Sequence, residues 1–169
     1  DVDGVAQQLF DELVRQHGKQ GQRTTAKEEK ARTESVKKTC RDTLNSLGVL
    51  KHPNMQTTWE TGCQIRGASH DFIFDFRWHP DGVRPQLINA VNIGHKLSVF
   101  GNAFTFEHAS QAKTLDLKKA KFAAVINTMD SRLDSTLVSR HIDILQQFGT
   151  VIDFADGNGS DQLKQLCAI

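Results

Sequence analysis

Asp71-Phe72-Ile73-Phe74-Asp75-Phe76-Arg77-Trp78-His79 sets an aromatic ring at every second position. Successive side chains of a strand point to opposite faces, so this spacing predicts a β-strand with Phe72, Phe74, Phe76 and Trp78 turned to a core. Asp71, Asp75 and His79 then share the polar face. Upstream, the run from Thr58 to Arg66 is predicted to pair with this strand through a turn at Gly67 to Ser69. Downstream, Pro80-Asp81-Gly82 supplies a second turn into a third strand, Gln86 to Ile93. The expectation is a three-stranded antiparallel meander.

Further out, the apolar period changes. Thr25 and Glu28 have the T-x-x-E spacing of a capping box, which predicts a helix from Thr25 to Leu47 with Gly48 as its stop. Its apolar stripe, Val36, Cys40, Leu44 and Leu47, occupies only the second half, so the first half is expected to project into solvent or onto a partner. Before it, Val5, Leu9 and Leu13, with Phe10 and Val14 beside them, mark a short amphipathic helix closed by Gly18, and 18–24 reads as a linker. After the meander come a helix within Gly101 to Lys119, a buried strand Phe122 to Asn127 and a helix Asp134 to Phe148. That helix turns Leu137, Val138, His141, Ile142, Leu145 and Phe148 inward. A short strand Thr150 to Phe154 and a last helix capped by Ser160 complete the chain. The fold class is mixed α/β (α+β): residues 1–24 form a helical arm and linker, and 25–169 a single domain in which the meander is extended by further strands and flanked by helices.

Composition narrows the function classes. Three cysteines, Cys40, Cys63 and Cys167, with wide spacing and no C-x-x-C pair exclude a disulfide framework and a structural zinc site. No apolar stretch approaches the ~20 residues of a membrane-spanning helix, and no charged-then-apolar leader opens the chain. The sequence therefore reads as cytoplasmic, without a membrane partner. Net charge is +1, yet the stretch from Arg15 to Arg41 holds nine basic residues against three acidic ones. Neither a P-loop, a G-x-G-x-x-G nor a G-x-S-x-G elbow is present. The stretch Asp156-Gly157-Asn158-Gly159-Ser160-Asp161 begins like a calcium loop but has Asp161 at position six and Cys167 at position twelve, so it reads as a turn and helix start. Asp71, Asp75 and His79 lie about 13 Å apart in succession on a strand and cannot share one ion.

The order helix, three-stranded meander, helix, strand over residues 25–127 resembles the core of the restriction-endonuclease-like PD-(D/E)XK nucleases. The resemblance implies a metal-binding aspartate at the end of the second strand. It also implies E-x-K on the third, the carboxylate holding Mg²⁺ and the lysine helping to activate water. Asp71 or Asp75 matches the first position. The third strand, Pro85-Gln86-Leu87-Ile88-Asn89-Ala90-Val91-Asn92, carries neither glutamate nor lysine, and Lys96 lies beyond it. Catalytic candidates are thus Asp71, Asp75 and Gln86, with Asp75 the candidate metal ligand. An atypical Mg²⁺ site would add Gln86 or Asn89 and a helix carboxylate such as Glu34.

Three functional readings follow. The first is a non-catalytic nucleic-acid-binding domain that contacts phosphates through Arg23, Lys27, Lys30, Lys37, Lys38 and Arg41 and needs no cofactor. The second is a Mg²⁺-dependent nuclease with that atypical site. The third is a protein-interaction module, a homodimer or a heterologous complex formed through residues 1–17, because a helix of about a dozen residues with an apolar stripe is marginal alone in water.

Overall fold

A computed structural model describes residues 25–65, 68–111, 119–130 and 132–167, without the side chains of 63–65 and 68. The arm helix, its linker, Arg23 and the interaction surface expected on residues 1–17 lie outside the described residues. The elements are α1 (Ala26–Ser46), β1 (Met55–Ile65), β2 (Ala68–Trp78), β3 (Gln86–Ala90), α2 (Lys96–Gln111), β4 (Lys121–Ile126), α3 (Ser135–Gln146), β5 (Thr150–Asp153), a short 3-10 turn (Phe154–Asp156) and α4 (Gly159–Cys167). The expected mixed architecture is present. One sheet runs in the order β1-β2-β3-β4-β5, with β1, β2 and β3 antiparallel and β3, β4 and β5 parallel. No helix among the described residues is long and apolar enough to cross a membrane.

The parallel strands bury both faces, as their nearly continuous apolar sequences require. On one side Leu87, Phe122, Ala124 and Ile126 meet Val99 and Phe106 of α2 and Leu145 of α3. On the other, Ile88, Ala123, Val125 and Ile152 meet Val36, Cys40 and Leu44 of α1 and Leu163 and Cys167 of α4. The sheet is therefore a middle layer between two helical pairs.

α1 starts where its capping box places it. The Glu28 backbone N–H donates to Thr25 Oγ1 at 3.3 Å, and the Thr25 N–H donates to Glu28 Oε2 at 2.8 Å. Gly48 follows its end at φ 74°, a left-handed conformation that suits glycine. The first half of α1 does not project freely. The Glu29 carbonyl accepts from Asn92 Nδ2 at 3.3 Å, and Arg32 pairs with Asp130 at 3.0 Å, so polar contacts dock a segment that has no apolar stripe.

Three more expectations need correction. β2 does not present one aromatic face: Phe72 and Phe74 join the core under α2 and α3, whereas Phe76 and Trp78 join the core under α1 and α4. The change falls at Asp75, where β2–β3 pairing stops at Phe76↔Ile88. Thr58, opposite Asp75 in register, interrupts the β1–β2 ladder with φ 55°. The break inserts no residue on either strand, since Thr57↔Phe76 and Trp59↔Phe74 keep one register across it. α2 starts at Lys96, five residues before Gly101, because His95 N–H closes a turn on the Asn92 carbonyl and the helix continues from there through an exposed glycine. Ser160 lies within the first turn of α4 rather than capping it, since the helix begins at Gly159.

Candidate nucleic-acid face and the polar seam at Asp75

The break in the ladder where β2 changes face also gathers a set of interior polar groups. Where backbone pairing lapses, side chains replace it: the Asp75 N–H donates to Asn89 Oδ1, and the Ala90 N–H donates to Asp75 Oδ2, each at 2.8 Å. Asp75 Oδ1 then meets Lys37 Nζ of α1 at 2.6 Å. On the opposite face Asn89 Nδ2 donates to Asn102 Oδ1 of α2 at 2.7 Å, and Asn102 Nδ2 donates to the Ser98 carbonyl at 2.8 Å. A chain of hydrogen bonds thus crosses the sheet from α1 to α2. Unpaired polar groups are costly inside a protein, and here each side chain of the seam finds a partner.

The residues proposed for a metal site are not gathered there. Asp71 is exposed four positions before Asp75, opposite Gly62. Gln86 lies three positions from Asn89, about 10 Å away along the strand, and on the opposite face. It is buried, its Nε2 donating to the Arg84 carbonyl at 3.3 Å and its Oε1 lacking a partner. Glu34 is exposed on α1. No group of three or more His, Cys, Asp or Glu side chains converges among the described residues. Both Asp75 oxygens are occupied, one by an ammonium and one by a backbone N–H, and the neighbouring amides are neutral. This donor set does not fit Mg²⁺, which seeks several anionic or water oxygens at about 2.1 Å.

The α1 cations divide into two groups. Lys37 lies on the flank facing the sheet and is committed to Asp75. Lys27, Lys30, Lys38 and Arg41 are exposed on the outer face, with Glu34 among them. Lys38 reaches Asp42 at 2.9 Å, but both partners are more than 60% exposed, at 78% and 63%. Such a pair holds weakly against solvent and phosphate.

On the other flank of α1, where β3 and β4 end, a cleft of about 280 Å³ is rimmed by Arg32, Ser35, Asn92, Asn127 and Asp130. Asp130 is held by two guanidinium groups, Arg32 at 3.0 Å and Arg132 at 2.9 Å. Its hydrogen bonds to Arg132 hold its carboxyl down at about 2, with the charge of Arg32 assisting. Beside the cleft, His95 Nε2 lies 3.2 Å from Glu29 Oε2.

The chain matches no family model, no curated protein and no solved structure. The likeness to the nuclease core rests on element order alone.

The remaining candidate groups are structural. His141 is 2% exposed, and its Nδ1–H donates to the Ile93 carbonyl at 2.7 Å, which fixes the tautomer because a carbonyl only accepts. Burial lowers its pKa; the Ile93 bond opposes this, while Lys96 and Arg140 reinforce it. Cys40 and Cys167 are buried free thiols pushed up to about 12, chiefly by burial. Gly157 turns at φ 77° and the Asn158 N–H donates to Asp156 Oδ1, so the calcium-like stretch is a turn leading into α4. Sequence reading missed Arg32, Asn92, Asn102, Asn127 and Asp130 as site-formers. Asparagine at 89, 92 and 102 in otherwise apolar surroundings was the one available signal.

Proposed function

We propose that this domain binds nucleic acid without cleaving it, laying the outer face of α1 along a phosphate backbone. The observation that carries the reading is the pairing of Asp75 with Lys37. Of the two carboxylates matching the position of a nuclease metal ligand, Asp75 is neutralised from within the fold and Asp71 is exposed away from it, while four other cations of α1 stand in solvent. Lys27, Lys30, Lys38 and Arg41 form a ridge over more than three turns of α1, and a row of cations gains affinity by releasing counterions from the phosphates it neutralises. Such contacts are indifferent to sequence. The reading carries with it a reducing, cytoplasmic location, supported by two buried free thiols.

Fluorescence anisotropy with labelled duplex DNA, single-stranded DNA and single-stranded RNA at low salt tests it. Lys30→Glu with Arg41→Glu should weaken binding by at least about tenfold for every sequence tried, and the strands should remain intact in Mg²⁺ or Mn²⁺. Metal-dependent cleavage that Asp75→Ala abolishes would replace this reading with the nuclease one.

A further inference from the structure

We infer that the cleft at the ends of β3 and β4 is a binding site for a small neutral heterocycle bearing ring carbonyls, of the uracil or guanine type, independently of any phosphate contact by α1. Ligands of open α/β sheets bind outside the carboxyl ends of parallel strands, which is where this cleft lies. Its volume, about 280 Å³, falls at the small end of ligand pockets. It has room for one compact molecule rather than a peptide or a dinucleotide.

The lining selects the chemistry. Val36, Val91 and Ile93 give an apolar floor against which a flat ring can lie. At the rim two guanidiniums, Arg32 and Arg132, share Asp130, and the Glu28 carboxylate lies near enough to act on both, so cations and carboxylates balance and the cleft offers no net charge to attract an anion. Asp130 is saturated: Oδ2 takes Arg32 and Arg132, while Oδ1 takes the Arg132 backbone N–H and Nε. It acts as a positioning group that holds Arg32 in place. Arg32 uses one nitrogen on Asp130, and a guanidinium carries five N–H donors.

The Asn127 Oδ1 accepts the Met129 N–H at 2.9 Å, which leaves its Nδ2 amide as the donor of a residue that lines the cleft. The Ser35 hydroxyl adds a third group, and no described residue engages either it or that amide nitrogen. The rim is therefore rich in donors. Carbonyl oxygens and ring acceptors satisfy it, as in the pairing of arginine with the O6 and N7 edge of guanine. Adenine, which presents an amino donor on its corresponding edge, leaves a donor facing a donor.

The experiment titrates the full chain, uniformly ¹⁵N-labelled, with uridine, guanosine, adenosine and uridine monophosphate, followed by amide shifts and thermal stabilisation. Uridine or guanosine should shift the amides of residues 35, 127 and 129 and raise Tm. Adenosine should bind at least about tenfold more weakly, and the monophosphate no tighter than the nucleoside. Asn127→Asp keeps the oxygen that accepts from Met129 and replaces the donor with an acceptor, so it should abolish binding at unchanged Tm of the free protein. Ser35→Ala provides a second variant should Asn127→Asp fail to fold. Equal affinity for adenosine, tighter binding of the monophosphate, retention of binding in folded Asn127→Asp, or no shift with any nucleoside at millimolar concentration would each overturn the inference. None of these outcomes depends on polynucleotide binding, so the site and the α1 reading fail separately.

Discussion

Asp75 shows how much of a site one residue can leave unreadable. Its position on the aromatic strand is plain in the sequence, but its partner Lys37 lies thirty-eight positions upstream on a helix whose rotation about its axis only packing decides. Asp75→Asn retains the shape and removes the charge, leaving Lys37 unpaired beside a core. Losing a charged hydrogen bond in such a place costs about 1–3 kcal/mol, and urea unfolding should show a loss of that order. His141 was legible as a core histidine from its apolar helical stripe, and its titration follows from burial. With the folded pKa below the ordinary 6.5, the unfolded chain binds more protons as pH falls through that value. The histidine's contribution is fully present above pH 6.5 and is lost as pH drops from there toward the folded pKa. His141→Asn, whose amide can still donate to Ile93, should flatten the stability profile between pH 7 and 5; an unchanged slope would assign the effect to other groups.

Elements with local start and stop signals were legible, and those governed by tertiary contact were not. The Thr25–Glu28 capping box and Gly48 bound α1 correctly, and Asp134 caps α3 through the Leu137 N–H. α2 begins without such a cap and runs through Gly101, so sequence placed its start too late. The break in pairing at Asp75 was invisible because alternation continues unbroken through it. Opposite it, Thr58 holds φ 55° with an exposed β-branched side chain, a conformation that costs of order 1–3 kcal/mol in residues other than glycine. Thr58→Gly should therefore raise stability by about 1 kcal/mol, readable as an increase in the urea midpoint at unchanged slope. Gly149 gives the converse case. A Cβ there would lie 2.5 Å from the Phe122 carbonyl oxygen, a backbone atom that cannot swing aside. Gly149→Ala should thus cost about 1–3 kcal/mol, as overpacking does.

Over the whole molecule, the order of strands and helices and the antiparallel meander were legible from period and turn residues. The division of the core into two faces, with α1 and α4 on one and α2 and α3 on the other, was not. That division decides which cations of α1 stand in solvent. It turns Lys37 toward the sheet and leaves Lys27, Lys30, Lys38 and Arg41 in solvent, so of the six cations named from the sequence one is committed to Asp75, four are exposed and Arg23 lies outside the described residues. It also opens the cleft on the other flank of α1, from residues that no spacing rule links.

The most direct test is the salt dependence of duplex DNA binding by the full chain, read as log affinity against log salt concentration. Three to four phosphates neutralised by the outer face of α1 predict a slope of about −3 to −4, reduced by about 2 in Lys30→Glu with Arg41→Glu and unchanged in Lys37→Met. A slope near zero, or one that Lys37→Met reduces as much as the outer-face substitutions do, would contradict the account.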